Sequence, residues 1–197
     1  LRTGRYSRQR PARTSAACAP RALAPPQRGA RTPLIELRNA WVWRGGRAAL
    51  RGVTLPLRRG ECWVVHGPNG SGKSTLLGVL HGDLGVAGTG AIVRRGHGPG
   101  LPLEDFQRRV GLITPDLQAG LPRQLTALET VVAGLRGAFA LERAPRLRER
   151  LAARRSLRRV GALALAPRAL GELSYGQARR VLFARALVRQ PAIVLLD

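Results

Sequence analysis

The chain of 197 residues has no methionine, one lysine and two cysteines, and acidic residues are scarce. Cys18 and Cys62 supply neither a metal-ligand spacing nor a disulfide framework, which fits a reducing compartment. His81 and His97 have no partners at ligand spacing, so a structural metal site is not expected. No apolar run approaches the roughly 18–20 residues of a membrane-spanning helix, so contact with a bilayer would come through a partner. Eleven acidic residues stand against 34 basic ones, and none of the eleven falls within residues 1–33, where eight arginines lie. The formal net charge is +23. Two readings of it stay open. Arginine accounts for 33 of the 34 cations, among abundant Ala, Gly and Pro, as codon bias in a GC-rich gene would produce. A nucleic acid or another anionic partner would produce the same balance.

What is present is enough apolar sequence, 44%, for one sizeable α/β core. Residues 1–33 have no apolar periodicity and read as a disordered basic tail, or as translation from upstream of the true start; they are set outside the fold. The chain opens at Leu1 and stops at Asp197 inside the apolar run AIVLLD, which reads as a buried strand and a truncated product.

Between these ends, strands are expected at 34–43 (LIELRNAWVW), 53–57, 61–66 (ECWVVH), 90–94, 110–114 (VGLIT) and 192–197. The Gly45–Gly46 pair supplies a turn after the first of them. Helices are expected after residue 73, in two stretches from about 126 to 168, and from about 175 to 189. His66, at a strand end, reads as core packing. Interleaved strands and helices define the α/β class.

GPNGSGKST at 67–75 satisfies the spacing G-x-x-x-x-G-K-[ST], between an apolar strand and a helix. The candidate nucleotide-binding loop is Gly67, Pro68, Asn69, Gly70, Ser71, Gly72, Lys73, Ser74 and Thr75. Its glycines allow backbone N–H groups to converge as an anion nest, and the helix that starts there adds its dipole. Lys73 then reaches the β- and γ-phosphates and the Ser74 hydroxyl ligates Mg²⁺. The one lysine of the chain stands where this chemistry needs an ammonium. A second motif, LSYGQ at 173–177, places Ser174 as an N-cap three residues before Gln177, a capping box, with Val181, Ala184, Leu187 and Val188 on one helical face.

With these motifs in order, residues 34–197 resemble the ATP-binding cassette (ABC) ATPases, the nucleotide-binding domains of ABC transporters. The resemblance implies a P-loop NTPase fold of ABC type, with a mixed sheet core and a helical subdomain at about 120–175. It implies ATP and Mg²⁺ as ligands, with Asp197, at the end of IVLLD, as a metal-orienting and catalytic residue beside Lys73. Ser174, Gly176 and Gln177 would contact the γ-phosphate held by a second cassette, packed head to tail or joined in tandem. A membrane permease would be the further partner, and the location cytoplasmic, peripheral to the inner face of the plasma membrane. A soluble, non-transport cassette acting on nucleic acid or ribosomes is the alternative, and a fragment without activity is a third. A narrower similarity is to molybdate-transport and photorepair-type ATP-binding proteins.

The chain departs from the family pattern in four places. Tyr175 replaces a glycine of the signature. Arg44 stands where an aromatic residue usually stacks on adenine; either its guanidinium or Trp43 takes that role, or Trp43 packs the strand edge. Pro115 occupies the place of a glutamine that senses the γ-phosphate, leaving Gln118 or Asp116 as substitutes. The glutamate that follows the motif aspartate in the family, and the histidine switch beyond it, are expected to be missing, which would slow hydrolysis by about 10²–10⁴-fold.

Overall fold

The computed structural model describes residues 21–22, 32–95 and 102–197. Most of the basic tail, Cys18 and His97 lie outside these residues. Within the tail, Arg21–Ala22 form a short strand, β1.

An antiparallel layer comes first. Strands β2 (Ile35–Arg44) and β3 (Arg47–Leu57) form a hairpin, in register from Ile35 opposite Leu57 to Arg44 opposite Arg47. Gly45 and Gly46, both with positive φ, make the two-residue turn that suits the strand twist. β3 is six residues longer at its start than the apolar segment 53–57 indicates, because the hairpin turn carries pairing through Arg47–Gly52. The buried set in β2 changes parity, from Ile35 and Leu37 to Ala40 and Val42. The register shift responsible lies between Leu37 and Ala40, where Asn39 adopts φ 47°. A bulge of this kind swaps which face each later side chain meets.

Next, β4 is only Trp63–Val64 and pairs antiparallel with β1. The expected strand 61–66 is otherwise irregular. Cys62, Val64 and His66 point to solvent while Trp63 and Val65 pack on the core, so His66 is exposed and not a packing residue. Glu61 fixes the entry to this segment by accepting hydrogen bonds from Arg58 N (2.9 Å) and Trp63 Nε1 (2.9 Å).

Helix α1 (Lys73–His81) buries Leu76, Val79 and Leu80 against the hairpin. β5 (Ala91–Arg94) joins the outer edge of β2 antiparallel, completing the order β3-β2-β5. After α2 (Leu103–Gln107), β6 (Val110–Ile113) pairs in parallel with the last strand, β7 (Ile193–Leu196). β7 buries Leu195 but exposes Val194 and Leu196, so it is covered on one face only.

The helical part consists of α3 (Pro115–Ala119), α4 (Ala127–Arg136), α5 (Leu147–Arg159) and α6 (Tyr175–Leu187). Thr126 and Ser174 start α4 and α6 with capping boxes closed by Glu129 and Gln177. Val131, Val132, Leu157, Val181 and Ala184 form a second core, and Leu182 of α6 joins Ile113 of β6 and Leu121 in a third. α6 therefore fastens the helices to the parallel pair, and the helical core runs past residue 175 into α6.

Candidate functional site

The loop 67–75 connects β4 to α1 as its sequence indicates. Gly72 has φ 95°, and a Cβ there would lie 2.5 Å from the Ala49 carbonyl oxygen, so only glycine lets the loop pass under β3. The Ser71 amide donates to the Pro68 carbonyl (3.2 Å) and closes the curve. Lys73 Nζ donates to the carbonyls of Gly67 (2.9 Å) and Pro68 (2.8 Å). Two of its three donors thus hold the loop bent, with one left to face an anion. α1 begins at Lys73 with no acidic residue in its first turn, and its unpaired N–H groups and dipole favour phosphate.

Above the loop lies a cavity of about 1010 Å³. The loop contributes Asn69, Gly70, Gly72, Lys73, Ser74 and Thr75, and Asp197 closes one side as its sole carboxylate among the described residues. The β2–β3 hairpin supplies Trp41, Trp43, Arg44, Arg47 and Arg51. The parity change at Asn39 turns the two tryptophans this way. Asn39 holds the bend through its amide N–H to Thr54 Oγ1 (3.1 Å) and its Nδ2 to Thr89 Oγ1 (3.3 Å), and its Oδ1 accepts from Trp41 Nε1 (3.1 Å). Trp43 is 57% exposed, so it lines the cavity mouth and does not pack a strand edge. Asp197 is positioned by β7: its amide donates to Ile113 O (2.9 Å), and its backbone oxygen accepts from Arg179 Nη2 (2.9 Å).

The geometry thus brings Lys73, Ser74, Asp197, Trp43 and Arg44 to one cavity. Other candidates lie elsewhere. Thr114 and Pro115 start α3 as N-cap and first helical residue, with Thr114 Oγ1 accepting from Leu117 N (3.1 Å). The helix carries Gln118 into a separate cavity of about 520 Å³, beside Arg123, Tyr175 and Arg179. Asp116 faces a third cleft of about 620 Å³. Ser174, Tyr175 and Gly176 are on the open surface, and Gln177 Oε1 accepts from Ser174 N (3.0 Å). None of the four lines the cavity of Lys73.

Sequence reasoning missed Arg47 and Arg51. The Gly45–Gly46 turn held the signal for Arg47, since a two-residue hairpin sets residue 47 opposite residue 44.

The residues present fit a magnesium–nucleotide. Ser74 and Asp197 offer hard oxygen donors in one cavity, which suits Mg²⁺. The Ser71 hydroxyl is buried with no hydrogen-bond partner among the described residues, and a phosphate oxygen at the loop would satisfy it.

Fold and site together define a phosphate-loop nucleotide-binding protein. The family model of the ABC transporter matches residues 50–197, and the chain belongs to this family. It is 35% identical over 176 residues to the zinc import ATP-binding protein ZnuC of Brucella abortus, covering 87% of this chain and 50% of that protein. To the high-affinity branched-chain amino acid transport ATP-binding protein LivG of Salmonella typhimurium it is 32% identical, over 84% of this chain and 69% of that one. An uncharacterized ABC transporter ATP-binding protein of Schizosaccharomyces pombe is 33% identical, but the chain spans only 34% of it. The chain thus spans a third to a half of the length of the first of these curated relatives. Among solved structures, a nucleotide-free ATP-binding cassette from an ABC transporter superposes with a TM-score of 0.68 at 26% identity, covering 83% of this chain and 68% of that one. A dimeric bacterial ABC transporter cassette gives 0.66 at 29%, covering 83% and 73%. These relatives do not show the narrower molybdate or photorepair likeness.

Proposed function

We propose that this chain is the MgATP-binding part of a transport ATPase that acts through a membrane partner. The observation that carries the proposal is the single cavity lined at once by Lys73, Ser74, Asp197 and Trp43. In it the loop N–H groups and the Lys73 ammonium bind the phosphates, and the exposed face of Trp43, beside the Arg44 guanidinium, stacks on the purine. Ser74 and Asp197 would hold Mg²⁺, which when bound would neutralise charge on the phosphate oxygens. Lys73 and Asp197 are the catalytic candidates; Lys73 orients the terminal phosphate for attack by water.

The partner would dock in the cleft of about 620 Å³ between the sheet and the helices. Asp116 and Leu117 reach it from α3, Arg108 from the end of α2, and Phe139 and Arg189 from the helical side. No described helix is long and apolar enough to cross a membrane. The second cassette would meet the open surface of Ser174, Gly176 and Gln177.

Tryptophan fluorescence tests the nucleotide reading directly. Titration with MgATP should quench the signal of Trp43, and Trp43→Phe should remove most of the change. Lys73→Ala should weaken binding about 10–100-fold, the value of one charge-assisted hydrogen bond. Equal affinity in Lys73→Ala would refute the assignment.

A further inference from the structure

Helix α5 carries six arginines in its thirteen residues, Leu147–Arg159, and all six are exposed. Its inner side is settled: Ala153, Ser156 and Leu157 are buried in the second core, and Ser156 Oγ donates to Ala184 O (2.7 Å). The helix has a single carboxylate, Glu149, and it is turned inward. It accepts from Arg136 Nη2 (2.6 Å), Arg143 Nη2 (3.0 Å) and Arg146 N (2.7 Å). Among the described residues no carboxylate pairs with Arg148, Arg150, Arg154, Arg155, Arg158 or Arg159. The outer face is therefore cationic without a counter-charge.

Charge alone would fit any polyanion. The leucines narrow the choice. Leu147 is 72% exposed and Leu151 45% exposed. Leu147, Leu151, Arg154 and Arg158 are spaced by four, three and four residues, so they share the outermost line of the helix, over roughly 16 Å at 1.5 Å per residue. Arg148, Arg155 and Arg159 flank that line on one side and Arg150 on the other. A straight ridge with two apolar side chains at its crest and guanidinium groups along both flanks matches a flat surface that is anionic outside and apolar beneath. A nucleic-acid backbone would leave the two leucines with nothing to bury against.

We propose that the outer face of α5 is a contact surface for anionic lipid headgroups, with Leu147 and Leu151 entering the headgroup–acyl boundary and the arginines pairing with lipid phosphates. This surface is independent of the nucleotide cavity. It would hold the helical part against a bilayer without a spanning segment.

Co-sedimentation of the full chain with vesicles tests this. Vesicles containing phosphatidylglycerol should bind the chain, and pure phosphatidylcholine should not. The variant R154Q/R155Q/R158Q should lower the partition coefficient about 100-fold, since each basic residue near such a surface contributes about a factor of five. L147S/L151S should lower it about tenfold with all charges kept. The control R59Q/R95Q/R109Q, equal in charge and exposed elsewhere, should stay within about threefold of the parent. The five substituted residues outside the control, three arginines and two leucines, are all exposed, and unchanged circular dichroism and melting would show the fold intact. An unchanged partition in the first variant, or an equal loss in the control, would overturn the proposal. So would salt-sensitive binding of RNA that needs the three arginines but not the leucines, with no binding of vesicles.

Discussion

Arg185 is 9% exposed in the last turn of α6, and what it does there is structural. Its Nη1 donates to Thr130 O (3.0 Å) and its Nη2 to Ala138 O (2.9 Å), while the guanidinium lies 5.9 Å from the Phe139 ring centre. One turn on, Arg189 Nε donates to Leu135 O (2.8 Å). Two of these acceptors, Leu135 O and Ala138 O, lie at the C-terminal end of α4, where the helix dipole favours positive charge, and Thr130 O lies within the helix. Burial, and then the neighbouring Arg189 charge, push the Arg185 guanidinium down to about 10, so it remains charged at neutral pH. Gly134 makes the contact possible, because a Cβ there would lie 2.5 Å from Arg185 Cγ. Arg185→Ala should lower the unfolding free energy by about 3 kcal/mol, since it removes both hydrogen bonds and leaves a cavity. Urea denaturation at pH 7 measures this, and Arg185→Lys should recover only part of it, because one ammonium cannot span both acceptors. The sequence hides this residue. An arginine in a helix reads as solvated, and only the close approach of α4 at Gly134 reveals its partners.

Among the elements, α5 depends most on one carboxylate. Glu149 accepts from the Arg146 backbone amide at the start of α5 and receives both Arg136 and Arg143. The Arg136 hydrogen bonds first, then those of Arg143, hold its carboxyl far below the ordinary value of 4.5. Between that depressed value and 4.5 the unfolded chain binds a proton that the folded chain does not, so stability falls as pH drops through this window. Glu149→Gln should therefore lower the melting temperature at pH 7 and flatten its decline below about pH 4.5. Thermal melts from pH 7 to 2 check both effects. A parallel decline in both proteins would show that the carboxylate is not coupled to folding. Legibility also divides by element. α4 and α6 are plain in the sequence because a capping signal precedes an apolar stripe in each. α2 and α3 are not, because helices of five residues bury one side chain, Phe106, or none. The strand at 61–66 looked continuous because its apolar residues are consecutive, yet only two pair.

For the whole molecule, the phosphate loop was legible because its chemistry depends on residue types at fixed spacing. The placement of Gln118 was not, since it depends on Pro115 starting a helix that carries the glutamine away from Lys73. The signature poses a different question. Ser174, Gly176 and Gln177 lie on an open surface and do not line the Lys73 cavity, so one copy cannot apply both motifs to one phosphate. Two copies packed head to tail, as proposed above, would do so, each lending its α6 start to the loop of the other. Two variants separate the halves. Lys73→Ala disables the loop, and Gly176→Asp puts a carboxylate where the partner's γ-phosphate would sit; nothing lies within 4 Å of a Cβ at Gly176, so the fold should tolerate it. Neither variant alone should form dimers with MgATP in sedimentation velocity. An equimolar mixture should, because a heterodimer retains one complete site, made from Lys73 of the Gly176→Asp copy and the signature of the Lys73→Ala copy. Normal dimers of either variant alone, or an inert mixture of two variants that each remain folded, would rule out the shared site.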